Sequence, residues 1–152
     1  MKLHHYRTRI EWTGNRGEGT TGYTAYDRAY TVSAYGKPDI EGSADPAFRG
    51  DASRWNPEEF LLAGLSACHK LWYLHLCAVN GVVVLSYEDT AEAVMDETAG
   101  RFVSAILKPS VTISAGSDEA KARALHHDAH KACFIANSVN FPVTCEAEVI
   151  QA

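Results

Sequence analysis

Residues 56–79 constrain the fold more than any other part of the chain. Asn56 offers an N-cap, Pro57 suits the first helical position, and Glu59 completes a capping-box-like pattern. The run FLLAGLSACHKLWYLHLCAV that follows predicts a helix over 57–79. That helix is too long and too apolar to be covered easily by the few other elements of a 152-residue chain. Gly64 leaves two readings open. Either one helix bends there, or it breaks and Ser66 caps a second helix whose first turn holds Cys68.

The remaining elements follow from alternation and turn chemistry. Residues 3–13, with Tyr6, Ile10 and Trp12 among polar neighbours, and residues 29–35 read as strands separated by the glycine-punctuated turn 14–22. Residues 36–55 carry three glycines, two prolines and no period, which predicts a loop of about twenty residues and a candidate lid or site contributor. Two long strands are expected over 82–95 and 102–114, joined by a hairpin turn at 96–100. A helix over 117–133 would bury Ala122, Leu125, Ala129 and Ala132, and a last strand spans 142–150. The pattern is that of an α+β protein in one domain over 1–152, with helices set against antiparallel sheet.

Composition excludes several classes. The net charge of −5 and the absence of any Lys/Arg run argue against a nucleic-acid partner. The start, MKLHHYRTRIEW, has no apolar core of a signal peptide, and the most apolar stretch, 60–85, is interrupted by His69, Lys70, His75 and Asn80. No export signal and no membrane span are expected, and four irregularly spaced cysteines then indicate reduced thiols in a cytoplasmic protein.

Cys68 and Cys133 fall on different predicted helices, sixty-five residues apart. They form neither a local zinc knuckle nor a CxxC motif, but two such thiols can meet as a reactive pair. Cys77 lies nine residues from Cys68, about 13 Å along a continuous helix, beyond disulfide reach. Cys77 and Cys145 read as structural. His126, His130 and Cys133 share one helix face beside His127, a spacing that suits zinc, yet a histidine-rich face is more often solvated and no further ligand completes the set. His69 follows Cys68 but points about 100° away on a helix. Trp72, Phe60 and Phe134 are candidates to wall an apolar pocket, against the plainer reading as core aromatics.

The segment NPEEFLLAGLSAC at 56–68, the second cysteine in HKACFIAN at 130–137 and the order of elements around them resemble the OsmC/Ohr family of osmotically inducible and organic hydroperoxide resistance proteins. The resemblance spans nearly the whole chain, and its specific part is the spacing from NPE to Cys68. It implies an OsmC-like fold, with antiparallel sheets packed around central helices in an intertwined homodimer. It also implies a thiol peroxidase of oxidative-stress defence, with Cys68 as peroxidatic nucleophile, Cys133 as resolving thiol, an organic hydroperoxide as substrate and no metal, haem or flavin. The reductant would be an external dithiol, which in the family can be a lipoylated protein.

The resemblance further assigns Glu58 to hold an arginine that supports the thiolate, Glu59 being occupied by the cap. Arg49, shortly before the NPE motif, resembles the arginine of the OsmC branch, and Arg16 in TGNRGEG that of the Ohr branch; Arg49 is preferred. Two departures stand out. Family members usually carry proline after the second cysteine, where Phe134 stands here, and His69 is unusual after the first. They keep a second reading in view, a non-enzymatic redox sensor or small-molecule-binding module on the same fold.

Overall fold

The computed structural model describes residues 1–152. By its internal contacts the chain divides into two compact units, Met1–Phe60 and Leu61–Ala152. In the first, strands β1 (Arg9–Trp12), β2 (Tyr30–Ser33) and β3 (Ile40–Gly42) form an antiparallel meander in that order. The expected loop at 36–55 therefore contains a strand. It also contains a 3-10 turn, Pro46–Phe48, started by the Asp45 carboxylate, which accepts from the Ala47 N–H, and ended by Arg49 at φ 64°. A bridge between Gly42 and Trp55 brings the loop back to the sheet.

Helix α1 (Pro57–Val79) carries the chain onward into the second unit. Its start is capped as the sequence implies. The Glu59 N–H donates to Asn56 Oδ1 at 2.8 Å, and Asn56 Nδ2 donates to the Glu59 carboxylate at 3.1 Å. The helix is continuous through Gly64, so Ser66 caps nothing; its hydroxyl donates instead to Asp89.

In the second unit each expected long strand is two. Residues 82–95 yield β4 (Val84–Asp89) and β5 (Glu92–Asp96); 102–114 yield β6 (Arg101–Leu107) and β7 (Pro109–Ile113). After helix α2 (Glu119–Ala132), residues 142–150 yield β8 (Val143–Cys145) and β9 (Glu148–Gln151). The halves belong to different sheets, β4-β7-β9 and β5-β6-β8. The switch has a local cause. Pro109 has no N–H for a continuing ladder, and the N–H of Lys108 leaves the ladder to donate to Asp89 Oδ1 at 2.7 Å. In both sheets the first pair is antiparallel and the last strand adds in parallel, as the α2 crossover permits. The α+β class stands, and the purely antiparallel expectation is refined by these two parallel pairs.

Four residues at helical spacing form the buried stripe of α1: Leu65, His69, Tyr73 and Cys77. Leu65 packs with Ala105, Leu107 and Val143. Tyr73 and Cys77 pack with Val111, Ile113, Ala122, Leu125, Ala129 and Val149. His69 falls between these two apolar clusters. Asp118 caps α2 by accepting from the Lys121 N–H at 3.0 Å, one residue later than the expected start at 117. Ser117 instead accepts from the Val83 N–H at 2.9 Å.

Candidate functional site

The structure brings Cys68 and Cys133 together. Both are free thiols, with Cys68 half-buried and Cys133 buried, and Cys68 is near enough to help raise the Cys133 pKa. Cys68 lies well inside α1, about 16 Å beyond its first residue, where the positive end of the helix dipole no longer reaches. The reading in which Cys68 occupies the first turn of a second helix is thereby corrected.

Cys133 occupies the C-cap of α2. Burial pushes its thiol up to about 11; the Ala136 N–H, which donates to Sγ at 3.4 Å, opposes this, and the neighbouring Cys68 adds to it. At neutral pH Cys133 is therefore the protonated partner. A protonated thiol is a poor nucleophile toward peroxide, and to condense with an oxidised neighbour it must first give up its proton.

Beside Cys68 lies a recess of about 350 Å³ lined by Leu71, Trp72, His75 and Phe134. Trp72 meets the edge of Phe134 at 5.4 Å. Two of the three expected wall aromatics are thus in place. The third, Phe60, belongs to the first unit, where it stacks on Trp55 at 6.0 Å and lines a separate recess with Ile10, Tyr30, Val32 and Pro57.

The other expected site residues are in the first unit. Glu58 is half-buried in the first turn of α1, where its charge and that of Glu59 help burial to raise the Tyr30 pKa. Arg16 is engaged within its own turn, donating to the carbonyls of Thr24 and Ala25 and lying 3.6 Å from Asp27. Arg49 is exposed, makes no ion pair, and lies 6.0 Å from the centre of the Tyr23 ring.

The histidine face does not gather as zinc spacing would require. His126 turns inward, where its Nδ1 meets His69 Nε2 at 3.0 Å, while Cys133 faces Cys68. Cys145 Sγ completes that buried group, 3.7 Å from His69 Nε2 and 4.0 Å from His126 Nδ1. Sequence reasoning missed this trio. The signal available was the four-residue spacing of Leu65, His69, Tyr73 and Cys77, which places His69 in the buried stripe of α1.

Burial is the main reason both imidazoles resist protonation. His69 is held down to about 4, with His130 adding to the effect and Asp89 opposing it; His126 is held to about 3, with His69 adding. An unfolded histidine titrates near about 6.5, so below that pH the unfolded chain binds more protons than the folded one. The stabilising contribution is present above about pH 6.5 and is lost as pH falls toward about 4. Urea denaturation of chelator-treated protein should show about 2–4 kcal/mol less stability at pH 5 than at pH 7. Equal stabilities at the two pH values would contradict the burial of two neutral histidines.

The fold is α+β, with one thiol on α1 near a second at the C-cap of α2. The family model described as OsmC-like protein matches residues 50–148, and the chain belongs to this OsmC/Ohr family. An OsmC-like protein of unknown function from Vibrio cholerae is 30% identical, with 97% of this chain and 100% of that one covered and a TM-score of 0.86. An organic hydroperoxide resistance protein OsmC from Legionella pneumophila shares the fold at 20% identity, covering 97% and 99% of the two chains, with a TM-score of 0.67. The organic hydroperoxide resistance protein OhrB of Bacillus subtilis does so at 20% identity over 94% and 98%, with a TM-score of 0.59. No curated protein matches the sequence. No helix is long and apolar enough to cross a membrane.

Proposed function

We propose that the protein is a cysteine-dependent peroxidase that reduces organic hydroperoxides. The observation that carries this reading is the proximity of the Cys68 and Cys133 thiols beside an apolar recess. The Cys68 thiolate attacks the outer peroxide oxygen, the O–O bond breaks, and the alkoxide takes a proton and leaves as alcohol. The resulting sulfenic acid condenses with the Cys133 thiol, releasing water and forming a disulfide. An external dithiol, which in this family can be carried on a lipoylated protein, is oxidised to its own disulfide and restores both thiols. Hydrogen peroxide is the small alternative substrate of the same chemistry. Support comes from family membership and from fold relatives described as organic hydroperoxide resistance proteins.

Steady-state consumption of cumene or tert-butyl hydroperoxide with excess dithiol tests the reading. Continuous turnover supports it. One equivalent consumed and then arrest would make the chain a redox sensor, and binding without oxidation a small-molecule-binding module.

Glu58 and an arginine, Arg49 in preference to Arg16, are proposed to support the thiolate and the developing alkoxide. The preference draws on Arg16 being engaged in its own turn while Arg49 makes no ion pair. Arg49→Ala should then raise the pH at which Cys68 is alkylated and slow peroxide attack about tenfold or more, and Arg16→Ala should do neither. Alkylation rates of Cys68 against pH in both variants decide between them, and a shift in the Arg16 variant alone would reverse the assignment.

The whole of residues 1–152 is proposed to act as one OsmC-like domain, paired with a second copy in the cytoplasm. Alignment with 100% of the Vibrio chain over 97% of this one supports the domain. The apolar surface left on the second unit supports the dimer: Leu71 on α1 is 63% exposed and Phe134 68%, with Val83 and Leu85 also exposed. Light scattering at micromolar concentration should give twice the 16.6 kDa chain mass, and a monomer would remove the dimer from the account.

A further inference from the structure

We infer that His69, His126 and Cys145 form a zinc-type metal site, separate from the Cys68–Cys133 pair. The three ligands come from α1, α2 and β8, and their donor atoms converge: Nε2 to Nδ1 is 3.0 Å, and Sγ lies 3.7 and 4.0 Å from the two nitrogens. A tetrahedral zinc with ordinary bond lengths separates two imidazole nitrogens by about 3.3 Å and a nitrogen from a thiolate sulfur by about 3.6 Å. The distances fit within a few tenths of an ångström, and the two nearly parallel rings, whose nitrogens face each other at 3.0 Å, turn toward Cys145 to take the ion.

The surroundings favour a ligand over packing. Both imidazoles are buried, and beyond their mutual contact His69 Nδ1 and His126 Nε2 have no hydrogen-bond partner. Two buried histidines with unpaired outer nitrogens are a costly way to fill a core, and metal ligation by the inner nitrogens supplies compensating free energy. The donors are held in place before any ion arrives. The His126 ring stacks on Tyr73 at 3.8 Å, nearly parallel, and the Tyr73 hydroxyl is fixed by donating to the Ala122 carbonyl at 3.0 Å.

An entry path exists. His126 and Cys145 line a recess of about 490 Å³ together with His127, His130 and Thr144, which leaves the fourth coordination position to water. Two neutral nitrogens and one thiolate are a borderline-soft donor set. Neither methionine of the chain, Met1 or Met95, lines the recess, so the axial thioether of a blue-copper centre is not supplied there. Metal held at His69 would also fix the turn of α1 that carries the adjacent Cys68.

Cobalt(II), a spectroscopic substitute for zinc, tests the site in a Cys68→Ser/Cys133→Ser chain, which removes the other pair of thiols able to bind metal. Titration of reduced, chelator-treated protein should give one equivalent of tetrahedral cobalt with a sulfur-to-cobalt charge-transfer band, discharged by zinc. Cys145→Ser should remove that band, and His126→Gln should weaken binding about a hundredfold. No binding at micromolar cobalt, or a band that survives Cys145→Ser, overturns the proposal. Should Cys145→Ser fail to fold, zinc X-ray absorption on the Cys68→Ser/Cys133→Ser chain decides. One sulfur among nitrogen and oxygen neighbours supports the site, and no sulfur or two sulfurs overturns it.

Discussion

Replacing Cys68 by serine should lower organic hydroperoxide consumption at least about a hundredfold while leaving the fold intact. Peroxide cleavage starts with a polarisable thiolate, and a serine hydroxyl is neither ionised at neutral pH nor soft enough to replace it. The site tolerates the change because Cys68 is half-buried on a continuous helix and faces a recess rather than the packed core. Cys133→Ser should behave differently. Its buried thiol is held protonated, so the variant retains the first attack but cannot resolve it. Such a protein should consume one equivalent quickly and, with peroxide in excess, a second one slowly as the Cys68 sulfenic acid is oxidised to sulfinic acid, visible in the intact mass as two added oxygens. Activity of Cys68→Ser within a few-fold of wild type, or undiminished turnover of Cys133→Ser, would remove the respective residue from the mechanism.

The second large effect is on stability. Tyr73 is fully buried, stacks on His126 at 3.8 Å, meets Tyr87 at 5.9 Å and donates its hydroxyl to the Ala122 carbonyl at 3.0 Å. It thereby ties α1 to α2. Tyr73→Ala removes the ring, leaves a cavity and takes away the second hydrogen bond to the Ala122 carbonyl, which should cost about 3–5 kcal/mol. Against a total of about 5–15 kcal/mol for a domain, that is a large share. Tyr73→Phe keeps the ring and should cost only about 1–2 kcal/mol. Urea denaturation should show both as shifts of midpoint, and a loss below about 1 kcal/mol for Tyr73→Ala would mean that the core does not depend on this ring.

How far the sequence reaches is seen in particular residues. The start of α1 was legible because Asn56, Pro57 and Glu59 signal it chemically, independently of the rest of the fold. The divided strands were not. Apolar alternation runs on through Lys108, and the turn there depends on a hydrogen bond to Asp89, a residue of another strand. The sequence allowed Cys68 and Cys133 to meet but only the family resemblance singled them out, since no local pattern links residues so far apart in the chain. The His69, His126 and Cys145 cluster escaped because its members lie on three elements and each alone fits a simpler role.

The most direct measurement adds one equivalent of an organic hydroperoxide to fully reduced protein and follows the intact mass and the cysteine-containing peptides. The expected result is a loss of about 2 Da and a single linked peptide pair joining Cys68 to Cys133 within one chain. A mass that does not change, a stable added oxygen with no cross-link, or a disulfide involving Cys77 or Cys145 would contradict it.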